Sequence, residues 1–379
     1  MSSVINTNVM SLNAQRNLTS SSAQLATSLQ RLSSGMRINS AKDDAAGLAI
    51  SQRFTTQIRG MDVAARNAND GISLAQTAEG AMTEIGNNLQ RIRELAVQSR
   101  NATNSASDRA ALDKEAQALK AEINRVASQT NFNGVKLLDG SFNNQVFQVG
   151  ANQGETITVS SIVNANSSAL GSYQRATVTG NAATAFTAID AGDLTINGTS
   201  VGPIAADASA TARAASVRDA INSVSDTTGV YAVNDTATTI TLVSTTADIA
   251  VAHAGPSSTA ATTGLAAGTN ARATSTGFDS LDISTASGAD AAMQSMTAAL
   301  DAINTARASM GAIQNRFTSV VANLSTTSEN LSAARSRIQD ADFAKESAQL
   351  SRNQILQQAG TAMLAQANQA TQGVLSLLR

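Results

Sequence analysis

Side chains suited to covalent or acid–base chemistry are scarce in this chain. It has a single histidine, His253, in an Ala/Gly/Thr-rich stretch, and no cysteine. One imidazole and no thiol cannot supply a Ser-His-Asp or Cys-His nucleophile set beyond that stretch. Disulfides and thiolate metal sites are excluded outright. No carboxylate lies close to His253 in the sequence, so it reads as solvent-exposed and incidental. Asp43-Asp44 and Asp340 with Asp342 have the residue types for acid–base work. They stand ahead of long helical patterns, however, where the helix macrodipole favours negative charge. Neither an H-E-x-x-H zinc helix nor a Gly-rich phosphate loop is present. Whatever this chain does must come from the surfaces its elements present.

Those elements are announced at the two ends. Residues 1–30 carry one charged side chain, Arg16, and residues 353–378 carry none. Yet Leu356, Gly360, Met363, Ala367, Ala370, Val374 and Leu377 follow strict 4-3 spacing, the pattern of a helix that packs on other helices. At the other end, Ile5, Val9, Leu12, Leu18, Leu25, Leu29 and Leu32 supply the apolar positions. Aromatics make up only 3% of the chain and charged residues 14%, well under the roughly 25% charged content of average proteins. Asn, Gln, Ser and Thr take the place of charge. Such a surface can be desolvated against neighbours at lower cost than a charged one, or it can simply be soluble; composition leaves both open.

Between the ends, the only prolines are Pro203 and Pro256, so both flanking stretches run without the strongest helix breaker. From Met296 through Ile303, Met310, Phe317, Leu324 and Leu331 to Ile338, apolar residues alternate 3 and 4 over 43 residues, about 64 Å of helix at roughly 1.5 Å per residue. Met61, Ala68, Ala75, Met82, Leu89 and Ala96 form a matching column, and Leu112–Val126 forms a shorter amphipathic helix. Together these predict a three-helix rod closed by segments from both halves of the chain. Ser40-Ala41-Lys42-Asp43 reads as the capping box that starts the rod, with a connector near residues 33–45.

The period changes to two beyond Asn131. Val146–Val159 reads as a hairpin turning at Ala151-Asn152-Gln153-Gly154. Residues 172–275 are a different material, rich in Thr, Ala, Ser, Gly and Val. Within them Asn197-Gly198 marks a second hairpin, Ala212–Val224 a helix, and Val230–Val233 and Thr239–Val243 strands. The predicted fold is mainly α: a long coiled-coil-like rod from the N- and C-terminal segments, a β-hairpin region, and a small α+β insert. Three parts follow: 1–42 with 340–379, 43–171 with 276–339, and 172–275.

A formal net charge of −2 and the absence of a Lys/Arg cluster give no reason to expect nucleic acid. The N-terminus lacks the basic and apolar regions of a Sec-type signal. Gln354, Gln357, Gln358, Gln366, Asn368, Gln369 and Gln372 are too many amides for a membrane-spanning helix.

Leu29–Ile50 (LQRLSSGMRINSAKDDAAGLAI) closely resembles the N-terminal signature of bacterial flagellins, as do Leu89–Ser99 and Gln129–Leu138 with Gln148–Asn152. Ser336–Phe343 and the run from Ala359-Gly360 to Arg379 are similar to the C-terminus of that family, and Gly192–Gly202 with Arg213–Thr241 resembles a small module of some flagellin inserts. The resemblance implies a structural subunit, not an enzyme and with no cofactor, that polymerises into the extracellular flagellar filament. It implies that the terminal helices form the filament core, that export runs through the flagellar type III route without a cleaved signal peptide, and that an export chaperone holds the C-terminal helix. Filament cap and hook-junction proteins are implied partners. So is Toll-like receptor 5 of animal hosts, through residues matching Arg91, Leu95 and Glu115. A hook–filament junction protein of the same superfamily is the nearest competing reading, and a coiled-coil adhesin a more distant one.

Overall fold

The computed structural model describes residues 7–376, with side chains through Gln369. In chain order the helices α1 (Val9–Ser34), α2 (Ala45–Ser99) and α3 (Ala106–Gln129) precede two hairpins, β1 (Asn131–Phe132) with β2 (Val135–Lys136) and β3 (Asn143–Gln148) with β4 (Thr156–Ser161). Then follow β5 (Ser172–Thr179), β6 (Leu194–Ile196), β7 (Thr199–Ser200), α4 (Ala210–Ser223), α5 (Ser225–Thr228), β8 (Tyr231–Asn234), β9 (Ile240–Ser244), β10 (Ile249–His253), α6 (Ala260–Thr263), β11 (Gly268–Asn270) and β12 (Ala273–Thr276). The chain closes with α7 (Ala286–Gln339) and α8 (Phe343–Ser376). The mainly α architecture with a central α+β segment agrees with the sequence reading.

Contacts divide the chain into two compact units. One contains the N-terminal segment to Ala68, Gln148–Thr156, and the chain from Ser319 onward; the other contains Asn69–Phe147 and Ile157–Thr318.

In the first unit the connectors between helices are tied to each other. Gly35, left-handed at φ 70°, ends α1. Its carbonyl accepts from the Ala341 amide at 2.9 Å, and the Arg37 amide donates to Gln339 O at 2.6 Å. The Arg37 guanidinium donates to Ile338 O at 2.6 Å. Helix α2 is capped four residues later than the sequence suggests, at Asp44 and not Ser40. The Asp43 carboxylate accepts from the Asn39 and Ser40 amides within a turn. It is Asp44 whose carboxylate accepts from Gly47 N, at 2.8 Å, to start the helix. Two adjacent aspartates with opposite assignments look alike in sequence; Ser40 is therefore not the cap.

The second unit carries the rod core. Met82, Ile85, Leu89, Ile92 and Ala96 of α2 are fully buried, as are Ala116, Ile123 and Ala127 of α3 and Met296, Ala299, Ile303, Met310 and Phe317 of α7. Most of these are apolar positions read from the sequence; on α3 it is Ala127, not the expected Val126, that is fully buried. The tightest point is Gly71, where any Cβ would meet the Phe317 ring at 2.6 Å. The same ring stacks edge-on against Phe147, with centroids 5.5 Å apart.

Strands β5–β12 form two antiparallel four-stranded sheets, ordered β11-β10-β6-β7 and β12-β5-β9-β8. Their shared core includes Leu194, Ile196, Val217, Ile221, Leu242, Ile249 and Val251. Every residue of β9 is buried, because Ile240 and Leu242 face this core while Val243 packs with Val233 on Ala286 at the start of α7. Arg213 is fully buried, 3.3 Å from Asp207 and donating to Thr187 O. The chain enters and leaves through Gly171 and Gly277, both left-handed and joined by a 2.8 Å backbone hydrogen bond. A Cβ at Gly171 would strike the α7 backbone at Ala299 N, 2.7 Å away, so only glycine fits.

Between these sheets and the rod, Arg100 grips Asp290 at 2.9 and 3.1 Å. Burial pushes the Asp290 carboxyl above its usual range, outweighing the opposite pull of Arg100 and Arg175. A carboxyl with a higher pKa folded than unfolded weighs against the folded state at neutral pH, and that penalty fades as pH falls through the raised value. Asp290→Asn is therefore expected to be more stable than the native chain at neutral pH, with the gap closing as pH drops toward the ordinary carboxylate value of 3.8. Thermal unfolding across that window reads it, and a gap that widened on acidification would refute it. For the rod, Phe317→Ala should cost about 3–5 kcal/mol, measured by urea unfolding.

Candidate assembly surface

The terminal helices pair antiparallel: Asn8 lies beside Ala367, Leu18 beside Gly360, and Arg31 beside Glu346. The seam between them is small and polar. Ser11 and Ser28 of α1 and Glu346, Asn353 and Ala367 of α8 are its buried residues. The Asn8 amide does two jobs, capping α1 through Ser11 N at 3.1 Å and donating to Ala367 O at 2.9 Å. Arg31 and Glu346 sit 3.8 Å apart, and among the described residues Arg31 Nε and Glu346 Oε1 have no hydrogen-bond partner. Leu18 seats over Gly360, where a Cβ would lie 3.2 Å from its Cδ1.

Many of the large apolar side chains are left uncovered. Met363 is 66% exposed, Met10 65%, Ile355 64% and Val9 61%, and Leu12, Leu29 and Leu356 are also exposed. Met10, Leu18, Leu356, Gly360, Met363 and Ala367 line an open groove of about 880 Å³ between the two helices. Of the assembly positions read from the sequence, Val9, Leu12, Leu29, Leu356 and Met363 are exposed, Leu18, Leu25 and Leu32 are half-buried, and Ala367 is buried. Val374 lies on α8 beyond the described side chains, and Ile5 and Leu377 fall outside the described residues. The stripe read from the sequence does not reveal that several of its bulky members stay exposed beside or along the groove between the two helices. Burying a Leu, Met or Ile side chain is worth roughly 1.5–3 kcal/mol, so these exposed residues hold a driving force on the order of 10 kcal/mol for association.

Arg91 and Glu115 meet on the rod. The guanidinium donates through Nε and Nη2 to Glu115 Oε1 at 3.0 and 2.8 Å, and through Nη1 to Glu94 at 3.1 Å. Glu115 first and then Glu94 hold the guanidinium charged more firmly than usual. Leu95, expected to share this patch, is fully buried and is not itself on the surface.

His253 is half-buried rather than solvent-exposed, contrary to the sequence reading. Its Nδ1 is 2.7 Å from Ser258 Oγ and its Nε2 3.0 Å from Leu265 O. Ser258 is itself buried, so this Ser–His contact ties the loop carrying α6 to β10 and has no open face for a substrate. Among the described residues, no group of three or more His, Asp and Glu could hold a metal ion, and no helix is long and apolar enough to cross a membrane.

One unit buries its own rod core and the other holds a helix pair that leaves large apolar residues uncovered, features that suit a self-associating structural subunit. Comparison with known proteins agrees. The family model for the bacterial flagellin N-terminal helical region matches residues 5–143, that for the C-terminal helical region matches 293–378, and the flagellin hook IN motif matches 193–246. The chain is 42% identical to the B-type flagellin of Pseudomonas aeruginosa, covering 100% of both chains. It is 41% identical to flagellin B of Vibrio anguillarum and 42% to flagellin A of Vibrio cholerae, covering 99% of each chain in both cases. Among solved structures it is similar to FliC from Burkholderia pseudomallei (28% identity, 65% of this chain and 99% of that one, TM-score 0.40). The chain belongs to the bacterial flagellins, the structural subunits of the flagellar filament. Full-length identity to flagellins favours this over the hook-junction alternative.

The weak seam predicts the behaviour of the isolated monomer. Helices held by small and polar contacts are marginal in water, so amides of α1 and α8 should exchange far faster than those of Met82–Ala96. Gly360→Val should separate the pair further and lower helical content measured by circular dichroism. Equal protection of α8 and the rod would refute this account.

Proposed function

We propose that this chain polymerises through α1 and α8 into an extracellular flagellar filament used for swimming, and that it performs no catalysis. The observation that carries the reading is the uncovered apolar side of the terminal pair, with Val9, Leu12, Leu29, Leu356 and Met363 exposed around a small polar seam. Ile5, Leu18, Leu25, Leu32, Ala367, Val374 and Leu377 complete the assembly set. The filament core is 1–42 with 340–379, the rod 43–171 with 276–339, and the outward-projecting insert 172–275.

Export through the flagellar type III route, with a chaperone covering the C-terminal helix, suits a helix with large apolar residues such as Ile355 and Met363 left exposed. Cap and hook-junction proteins would engage the same ends. Toll-like receptor 5 would meet the exposed Arg91–Glu115 pair, with Leu95 fixing the helix spacing below it.

Leu356→Asp combined with Met363→Asp places charge on the exposed stripe without touching the rod core. This variant should remain a soluble monomer with unchanged rod unfolding and fail to extend filament seeds under negative-stain microscopy. Removing residues 350–379 should give the same result. Filaments from either variant would overturn the proposal.

A further inference from the structure

The chain contains two Asn-Gly steps, Asn133-Gly134 and Asn197-Gly198. Both occupy two-residue hairpin turns with the same left-handed backbone: φ 49° and 82° at the first, 51° and 79° at the second. Glycine suits such turns because it carries no Cβ. For the same reason its amide nitrogen is unhindered as a nucleophile toward the preceding side chain. The two sites differ in what holds the asparagine.

Asn197 is clamped. Its Nδ2 donates to Thr228 O at 3.0 Å and its Oδ1 accepts from Ala250 N at 2.8 Å. Its hairpin is part of a four-stranded sheet. Asn133 stands free by comparison: among the described residues no hydrogen bond holds its amide, and Asn133, Gly134 and Val135 are all exposed. Its hairpin is a separate two-stranded sheet with only two residue pairs, Asn131 with Lys136 and Phe132 with Val135. A hairpin this small has little stability of its own. It can open to the backbone angles that bring Gly134 N onto Asn133 Cγ.

We propose that Asn133 is a site of spontaneous deamidation and isomerisation in the folded protein, and that Asn197 is protected by its clamp. Water or hydroxide removes the Gly134 amide proton, and the nitrogen bonds to Asn133 Cγ. The adduct breaks its Cγ–Nδ2 bond and, with one proton returned, releases ammonia, leaving a five-membered succinimide. Water then adds at either imide carbonyl and one C–N bond breaks. The product is aspartate, or isoaspartate with the main chain rerouted through Cβ and Cγ. Overall, asparagine and water become an acid and ammonia, with no oxidant or reductant. Each event places a new negative charge at the tip of the hairpin beside Val135.

The test is ageing of the purified full-length protein in mildly alkaline heavy-oxygen water, followed by tryptic mapping. Cleavage after Arg125 and Lys136 isolates Asn133, and cleavage after Arg175 and Arg213 isolates Asn197. Fragment spectra separate Asn133 from Asn131 in the first peptide. The expected result is heavy-oxygen incorporation and isoaspartate at Asn133, with Asn197 slower by about tenfold or more, as loss of two hydrogen bonds implies. In urea the two rates should converge, and Asn133→Gln should abolish the first signal in the folded protein. Equal rates in the folded protein, faster reaction at Asn197, or a rate difference that survives in urea would overturn the proposal.

Discussion

The terminal helix pair is polarised the wrong way round for a self-sufficient hairpin, and the rest of the molecule is arranged around that fact. The residues buried at its seam are Ser11, Ser28, Glu346, Asn353 and Ala367, while Met10, Ile355 and Met363 are left exposed. An ordinary antiparallel pair buries its largest apolar residues between the helices, where each contributes most. Here the seam supplies register: the Asn8 amide bond, the Arg31–Glu346 pair and the Leu18–Gly360 seat fix which residues oppose one another. Polar groups at a seam are known to specify register at some cost in stability. The cost is tolerable only if other surfaces make up the difference, and under the proposed assembly the exposed apolar residues would be those surfaces.

The same seven-residue period is used for the opposite purpose in the rod. There Met82, Ile85, Leu89 and Ile92 meet the buried stripe of α7, and the interior closes completely, down to the absence of a Cβ at Gly71. The rod surface carries the charge that the ends lack, including the Arg91–Glu115 and Arg100–Asp290 pairs. Scarcity of charge at the ends fits the proposed assembly, because a charged side chain on an exposed stripe would have to be desolvated whenever that stripe was covered.

Period and length made the helices legible. A 3-4 alternation sustained from Met296 to Ile338 admits no other reading, and α7 contains it whole. Orientation was less legible, because a stripe that mixes Gly360 and Ala367 with Leu356 and Met363 does not say which members face the partner. Arg91 and Leu95 show the same limit, since side chains four apart share a side of α2 yet one is exposed and the other fully buried. Strands β1, β2, β5, β10, β11 and β12 are not legible, because they are short or built from Thr, Ala and Ser, which serve equally in strands and loops, whereas β8 and β9 are. His253 was misread for a related reason: its anchors, Ser258 and Leu265, are loop residues whose approach no local pattern records.

The central sheets illustrate how a chain can carry added structure without disturbing an assembly surface at its ends. Their core is their own, from Leu194 and Val217 to Val251, and a buried Arg213 paired with Asp207 belongs to that interior alone. Only two strands of chain cross into them, pinched together at Gly171 and Gly277. Both crossings require glycine, because the left-handed backbone and the approach of Ala299 and Ser167 leave no room for a Cβ. Residues beyond the neck can therefore change with little consequence for the rod, whereas the neck cannot. The constraint on this part of the chain lies in two glycines and the first turns of α7, and the constraint on assembly lies in helices far from both in sequence.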